Sequence, residues 1–174
     1  IDVLNGVASG VVTIASFALA ISLFIMQNYE IGIASLCLAF ASLGFYKYHK
    51  FPSKIFPGDS GALVLGSTYG VIAIVGHVEV ISAIAILPAV INSFLFLTSV
   101  KKIVEHREIK NPVLHTDDFK LKSTDDKTAP ITLVRLIVAK LPLSEKQIGA
   151  EIFKLSIFCG ILAVITAFFM EVKI

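Results

Sequence analysis

Five stretches of the chain are apolar and almost free of charge, and short polar breaks separate them. They cover about 7–27, 31–47, 60–77, 80–101 and 149–171. A helix needs roughly 20 mostly apolar residues to cross the hydrocarbon core of a bilayer, so each stretch predicts one membrane-spanning helix. "QNYE", residues 27–30, reads as a tight polar turn between the first two. Pro88 predicts a bend within the fourth. Asn92, in the same stretch, is an amide at membrane depth and should face other protein, either as glue between helices or as the lining of a lipid groove. Glu151 and Lys154 lie near the start of the fifth, where such groups reach the interface. A membrane β-barrel needs alternating ten-residue segments, and these runs do not alternate. The expected fold is an all-α integral membrane protein with about five transmembrane helices.

Composition agrees with that class. Of 174 residues, 56% are hydrophobic and 16% charged, and the mean hydropathy is +0.85. Soluble domains sit near 45–50% apolar and about 25% charged. The net charge of +2 says little, but the placement of the charges says more. The segments 47–59 and 101–148 fall on one side of a five-span topology and hold 13 of the 15 lysines and arginines. The positive-inside rule puts that side in the cytoplasm, together with the N-terminal "IDVLNG". Asn5, Asp59 and the His106–Arg107 pair are thereby expected on one face. The chain opens without Met or a basic n-region, so no signal peptide is expected. Cys37 and Cys159 lie in separate apolar runs, and no disulfide is expected between them.

The long cytoplasmic loop, 102–148, has parts. "HTDDFKLKSTDDKTAP" is polar and rich in turn residues and reads as a hairpin or a mobile loop. "PITLVRLIVAKLPLSEKQI" is apolar but interrupted by Arg135 and Lys140 and stopped by Pro142, which predicts a short amphipathic helix on the membrane surface.

The candidate chemistry centres on Asp59, set in Gly-Asp-Ser-Gly at a helix start. Free N–H groups and the helix dipole favour an anion there. A single carboxylate beside phosphates fits a divalent ion, most often Mg²⁺; a helix-capping aspartate fits the same sequence with no ligand. Asn5-Gly6 reads as a turn or cap before the first helix. "EHRE" places Arg107, whose fork suits phosphate, beside the titratable His106; a solvated charge run is the other reading. Asp117-Asp118 and Asp125-Asp126 have lysines interleaved and read as solvated surface rather than metal diads. His77 and Glu79 lie on the opposite face as loop residues.

Taken together, three stretches resemble one family. "FPSKIFPGDSGALVLG", residues 51–66, resembles the Pro-Ser/Ala-x-x-Phe-x-Gly-Asp-x-Gly block of the polyprenyl-phosphate N-acetylhexosamine-1-phosphate transferases, of the glycosyltransferase family 4 type. "IDVLNGVASG", residues 1–10, resembles the end of that family's asparagine-rich block. "HREIK", residues 106–110, resembles the His-Arg motif of the dolichyl-phosphate branch, and the histidine run of the bacterial branch is missing. Glu105 stands where the eukaryotic proteins carry a basic residue, and His49 lies where a family asparagine is expected.

The resemblance implies an activity: transfer of N-acetylglucosamine-1-phosphate from UDP-N-acetylglucosamine to dolichyl or another polyprenyl phosphate, the first step of lipid-linked oligosaccharide synthesis for N-glycosylation. It implies Mg²⁺, with Mn²⁺ as a substitute, on Asp59; uridine near Asn5 and Gly6; donor contacts at Gly58; and sugar and diphosphate contacts at His106 and Arg107. It implies an active face in the cytoplasm of an archaeal plasma membrane, or at the endoplasmic reticulum of a eukaryote. The partners expected are the UDP-sugar, the lipid phosphate and membrane lipid, with no nucleic acid and with a homodimer left open. The family has about ten transmembrane helices. This chain corresponds to the last five, and the paired aspartates of the family's first cytoplasmic motif are expected upstream, so the 174 residues alone are expected to be inactive. The alternatives are a bacterial-type undecaprenyl-phosphate sugar-1-phosphate transferase, or a membrane transporter or scaffold without chemistry.

Overall fold

The computed structural model describes residues 4–100, 111–116, 120–126 and 128–172. It is a helical bundle with a small sheet at one end. The long helices are α1 (Val7–Ile25), α2 (Tyr29–His49), α3 (Gly58–Val75) and α7 (Glu145–Val172). Between them run α4 (Glu79–Ala85), α5 (Leu87–Val100) and the five-residue α6 (Leu133–Ile137). Among the described residues, four helices are long and apolar enough to cross a membrane, and the pair α4–α5 makes a fifth span if counted as one. The all-α membrane expectation holds for the bundle.

The fourth expected span is not one continuous helix. α4 and α5 meet at a bend of 79°. Pro88 is the second residue of α5, inside the first turn, where a missing N–H leaves no intrahelical bond unmade. The chain therefore breaks just before the proline, at Ile86.

α1 is the central element. Its thirteen buried residues include both apolar and small polar side chains. The polar ones form a ladder to the antiparallel α2. Ser9 Oγ lies 2.9 Å from His49 Nδ1, Thr13 donates to Ser42 Oγ at 2.9 Å, and Ser35 donates to the Ser16 carbonyl at 2.9 Å. Residues 9, 13 and 16 share a face of α1; residues 35, 42 and 49 are seven apart on α2. Without water to satisfy them, small polar groups in apolar helices bond across the interface. This explains why α2 continues to a fully buried His49.

Two apolar cores follow. One joins Val12, Leu19 and Leu23 of α1 to Leu38, Tyr69, Ile72, Ile81, Ala163 and Ala167. The other joins Leu4, Val7 and Val11 to Leu121, Leu133, Val134, Val138, Ile148 and Ile152. The second core ties the long loop to the end of the bundle where α1 and α7 begin.

At the opposite end the turns after α1 and α3 are alike. Gln27 and His77 take the left-handed conformation. Asn28 N–H reaches the Leu23 carbonyl at 2.9 Å, and Val78 N–H reaches that of Ala73 at 3.0 Å. Both are six-to-one helix closures, and His77 is a residue of this turn.

The loop contains a three-stranded antiparallel sheet, ordered β1 (Val113–His115), β2 (Lys120–Ser123), β3 (Leu143–Ser144). Leu114 pairs with Lys122, and Leu121 pairs with Leu143. Alternation explains β2: Leu121 is buried while Lys120 and Lys122 are exposed. The expected hairpin is present; its third strand is two residues long, too short to leave a pattern. The expected amphipathic helix shrinks to α6, with Leu133 and Val134 buried in the second core. Its Thr132 cap accepts from Arg135 N. Arg135 then turns back, and its guanidinium donates to the carbonyls of Thr124, Asp126, Ala129 and Pro130. The segment is held by these bonds and by its buried face, which sets it apart from a helix resting freely on lipid.

Candidate active site

α1, α3 and α7 all begin at the same end of the bundle. Asn5 links them there. Its backbone N–H and its Nδ2 both donate to one oxygen of Glu145, at 2.6 Å each. Its Oδ1 accepts from Ser53 N at 3.1 Å. One side chain thus joins the start of α1, the loop leading to α3 and the first residue of α7. Gly6 follows at φ 79°, a conformation that costs a side chain dearly, and a Cβ there would lie 3.0 Å from Lys50 Cα and from the Tyr46 ring. The "NG" pair is therefore a fitted joint between α1 and the end of α2.

The loop after α2 is built on the same joint. Its Phe51–Pro52 peptide is cis. Ser53 Oγ donates to the Ile55 carbonyl at 2.9 Å, and Lys54 N to that of Tyr48 at 2.9 Å. Phe56 lies edge-on to the buried His49 ring, with centroids 5.3 Å apart. His49, expected only as a replacement for a family asparagine, is thus a packed element of this end, held by Ser9 and by the rings of Phe45 and Phe56.

Asp59 is the second residue of α3, after Gly58 at φ 62°. It is exposed and makes no hydrogen bond or ion pair with the described residues. Pro57 occupies the N-cap position and no side chain caps the helix. The capping alternative for Asp59 is therefore overturned: its carboxylate stands in the first turn and caps nothing. The first half of α3 has no fully buried residue; Tyr69, Ile72 and Ala73, in the second half, hold the helix to the core. A cleft of about 420 Å³ opens between α2 and α3 beside Asp59, lined by Phe45, Phe56, Pro57, Ser60, Gly61, Val64 and Leu65.

Among the described residues no three His, Cys, Asp or Glu side chains converge, so no protein cage for a metal exists there. One exposed carboxylate without a partner among the described residues does fit Mg²⁺, which keeps several waters and is held by one or two carboxylates plus substrate phosphates. Three helix N-termini at this end add partial positive charge, which suits an anionic ligand.

Other candidates fall elsewhere. His106, Arg107 and Asp117-Asp118 lie outside the described residues. Asp126 accepts from Thr128 N at 2.8 Å and Thr128 Oγ1 at 2.7 Å, a local turn. Asn92 is glue, though to the loop rather than to a helix in the bilayer: its Oδ1 accepts from Leu133 N at 2.9 Å. Cys37 and Cys159 are free thiols, as expected. Sequence reasoning missed Glu145. The signal was present in "SEKQ": Ser144 and Gln147 exchange the bonds of a capping box, a pattern that marks a helix start and puts Glu145 first in α7.

Residues 1–77 match the model of Glycosyl transferase family 4. Among curated relatives, "Putative glycosyltransferase MJ1113" of Methanocaldococcus jannaschii is 32% identical over 162 residues, 92% of this chain and 52% of that protein. A phospho-N-acetylmuramoyl-pentapeptide-transferase of Clostridium botulinum is 43% identical over 74 residues, 42% of this chain and 23% of that protein. One of the same name from Prochlorococcus marinus is 32% identical over 126 residues, 66% of this chain and 35% of that protein. The chain thus spans about half the length of the first relative, and less of the others. With its apolar helices and these relatives, the findings support an integral membrane protein with kinship to the Glycosyl transferase family 4 superfamily, carried by residues 1–77.

Proposed function

We propose that the full-length protein transfers N-acetylglucosamine-1-phosphate from UDP-N-acetylglucosamine to dolichyl or another polyprenyl phosphate, releasing UMP. The observation that carries this reading is the Asn5–Ser53 bond: it brings together two motifs 48 residues apart, six residues before an aspartate with no partner among the described residues. An oxygen of the lipid phosphate attacks the sugar-bearing phosphorus. The bond from that phosphorus to the UMP oxygen breaks, and the product is a diphosphate-linked lipid sugar.

The chain's own contributions are binding and orientation. Asp59 would hold Mg²⁺, which when bound neutralises diphosphate charge that otherwise repels the attacking anion. The N-termini of α1, α3 and α7 favour the diphosphate at this end. The apolar cleft beside Asp59 suits the first part of a lipid chain. Uridine near Asn5 and Gly6, and His106 and Arg107 at the sugar diphosphate, belong to the same proposal, as do a cytoplasmic active face and a role in N-glycosylation. Residues 1–174 alone are expected to be inactive.

A second reading keeps the chemistry and changes the substrates to those of the bacterial pentapeptide transferases. Identity of 42–43% over 74–78 residues to the clostridial proteins favours it. One experiment addresses both. Membranes carrying the full-length protein are given each radiolabelled UDP-sugar with dolichyl or undecaprenyl phosphate and Mg²⁺, comparing wild type with Asp59→Asn. Label entering the lipid phase, lost in the variant, supports the transferase and the metal ligand; the donor accepted separates the two readings. No transfer from any donor by the wild type refutes both.

A further inference from the structure

We propose that Glu145 is a positioning residue of this site, holding the loop that leads to Asp59 in place through Asn5. The proposal rests on the transfer reaction proposed above. One Glu145 oxygen accepts both the Asn5 backbone N–H and the Asn5 Nδ2, at 2.6 Å each. Carboxylate acceptors make hydrogen bonds about twice as strong as neutral ones. Glu145 forms no ion pair among the described residues, so its charge is directed at Asn5 and at the N-terminus of its own helix, where an anion is favoured.

The consequence is an oriented amide. With Nδ2 committed to Glu145, Oδ1 must point the other way, and there it takes Ser53 N at 3.1 Å. Ser53 lies six residues before Asp59, on a loop held also by Lys54 N at the Tyr48 carbonyl and by Phe56 against His49. The start of α7 is itself fixed: β3 pairs with β2, and Ser144 and Gln147 form the capping box. Position thus passes from the loop sheet to Glu145, to Asn5, to Ser53 and so to the loop that leads into α3 and Asp59. Glu145 touches no reacting atom in this scheme; it sets where the metal ligand stands.

The test uses the full-length protein in lipid nanodiscs, with two readouts: the Mg²⁺ concentration for half-maximal transfer, and amide hydrogen exchange of peptides covering 51–57. Glu145→Ala should raise the Mg²⁺ requirement about tenfold or more, the usual scale for losing an outer partner of a metal ligand, and should speed exchange in 51–57. Glu145→Gln keeps a carbonyl oxygen for both donors and should stay within about threefold of wild type, well short of that scale. Asn5→Asp sets two carboxylates face to face and should lose both properties. The double variant Asn5→Asp/Glu145→Gln should recover them, because the amide introduced at position 145 can then donate to the carboxylate introduced at position 5. Wild-type Mg²⁺ response and protection in Glu145→Ala would overturn the proposal, as would a double variant no better than Asn5→Asp. If the wild type transfers no sugar, the reaction is lost by itself; exchange in 51–57 still decides whether Glu145 holds the loop, and unchanged exchange in Glu145→Ala sinks that as well.

Discussion

Replacing Gly10 by alanine adds one methyl group where α1 packs closely against Phe153 of α7. A Cβ on Gly10 would lie 2.6 Å from Phe153 Cζ and 3.3 Å from Tyr46 Cε2. Carbon atoms settle at about 3.5–4.0 Å, so the ring is overrun by roughly 1 Å. Moving Phe153 aside gives up its edge-on contact with Tyr46, centroids 5.9 Å apart, and part of its packing on the second core. Overpacking of this kind costs about 1–3 kcal/mol, and disturbing the ring pair about 0.5–1.5 kcal/mol more. The better helix propensity of alanine returns only about 1 kcal/mol. The net expectation is a loss of about 2 kcal/mol, read by SDS titration of the full-length protein in bicelles. Phe153→Leu removes the ring edge, so the double variant should be more stable than the sum of the two changes by at least about 1 kcal/mol in a double-mutant cycle. Gly10→Ala that is neutral or stabilising, or a cycle that adds to within about 0.5 kcal/mol, would refute the account of how α1 and α7 meet.

Gly6→Ala combines a positive φ with a Cβ 3.0 Å from Lys50 Cα, and should cost about 1–3 kcal/mol while lowering transfer more than Gly149→Ala, whose Cβ meets only Val7 at 3.7 Å; equal effects on transfer would dismiss the Gly6 joint. Arg135→Met leaves four carbonyls without their cation and should speed exchange across 120–130 by at least tenfold, with no recovery in Arg135→Lys because one ammonium cannot span the set; a lysine that restores protection would contradict this. Asn92→Leu strands Leu133 N–H and should destabilise the loop by about 1–3 kcal/mol, whereas Asn92→Asp keeps the acceptor and should be milder; proteolysis at 124–132 reads the difference, and equal cleavage would remove Asn92 from the role of anchor.

The bundle was legible because bilayer physics leaves a strong mark: apolar runs near 20 residues, separated by "QNYE" and "GHVE", fix four helices to within a few residues. The 79° break was half legible. Pro88 announced a bend, but its size depends on how α5 meets the loop through Asn92 and Ser99. The polar ladder was spelled out by Ser9, Thr13 and Ser16 and by the seven-residue spacing of Ser35, Ser42 and His49. It is hard to read because small hydroxyl residues hardly change the hydropathy of a span. The loop was least legible. Its third strand has two residues, and its anchors are backbone carbonyls gathered by Arg135, which no sequence pattern displays. At the site, the motifs were visible as motifs. That Asn5 is bonded on both sides of its amide was not, because its partners lie 48 and 140 residues away.

The charges at this end show why Asp59 stands apart from the other acids. Three helices begin here, and each N-terminus favours a nearby anion. α1 has no acid in its first turn and α7 has Glu145. Glu145 serves both helices, by standing first in α7 and by accepting the N–H of Asn5 just before α1. α3 has Asp59, which serves its helix only by charge and bonds to nothing described. The fold has thus given one oxygen of Glu145 two donors and left Asp59 exposed, with no partner among the described residues. Structural need does not explain that choice, since serine or asparagine in place of Pro57 at the N-cap would cap α3 better. A ligand that brings its own positive charge does explain it. On this reasoning Asp59→Asn should leave folding unchanged within about 0.5 kcal/mol while abolishing transfer, and a variant that unfolds instead would show that the carboxylate belongs to the scaffold.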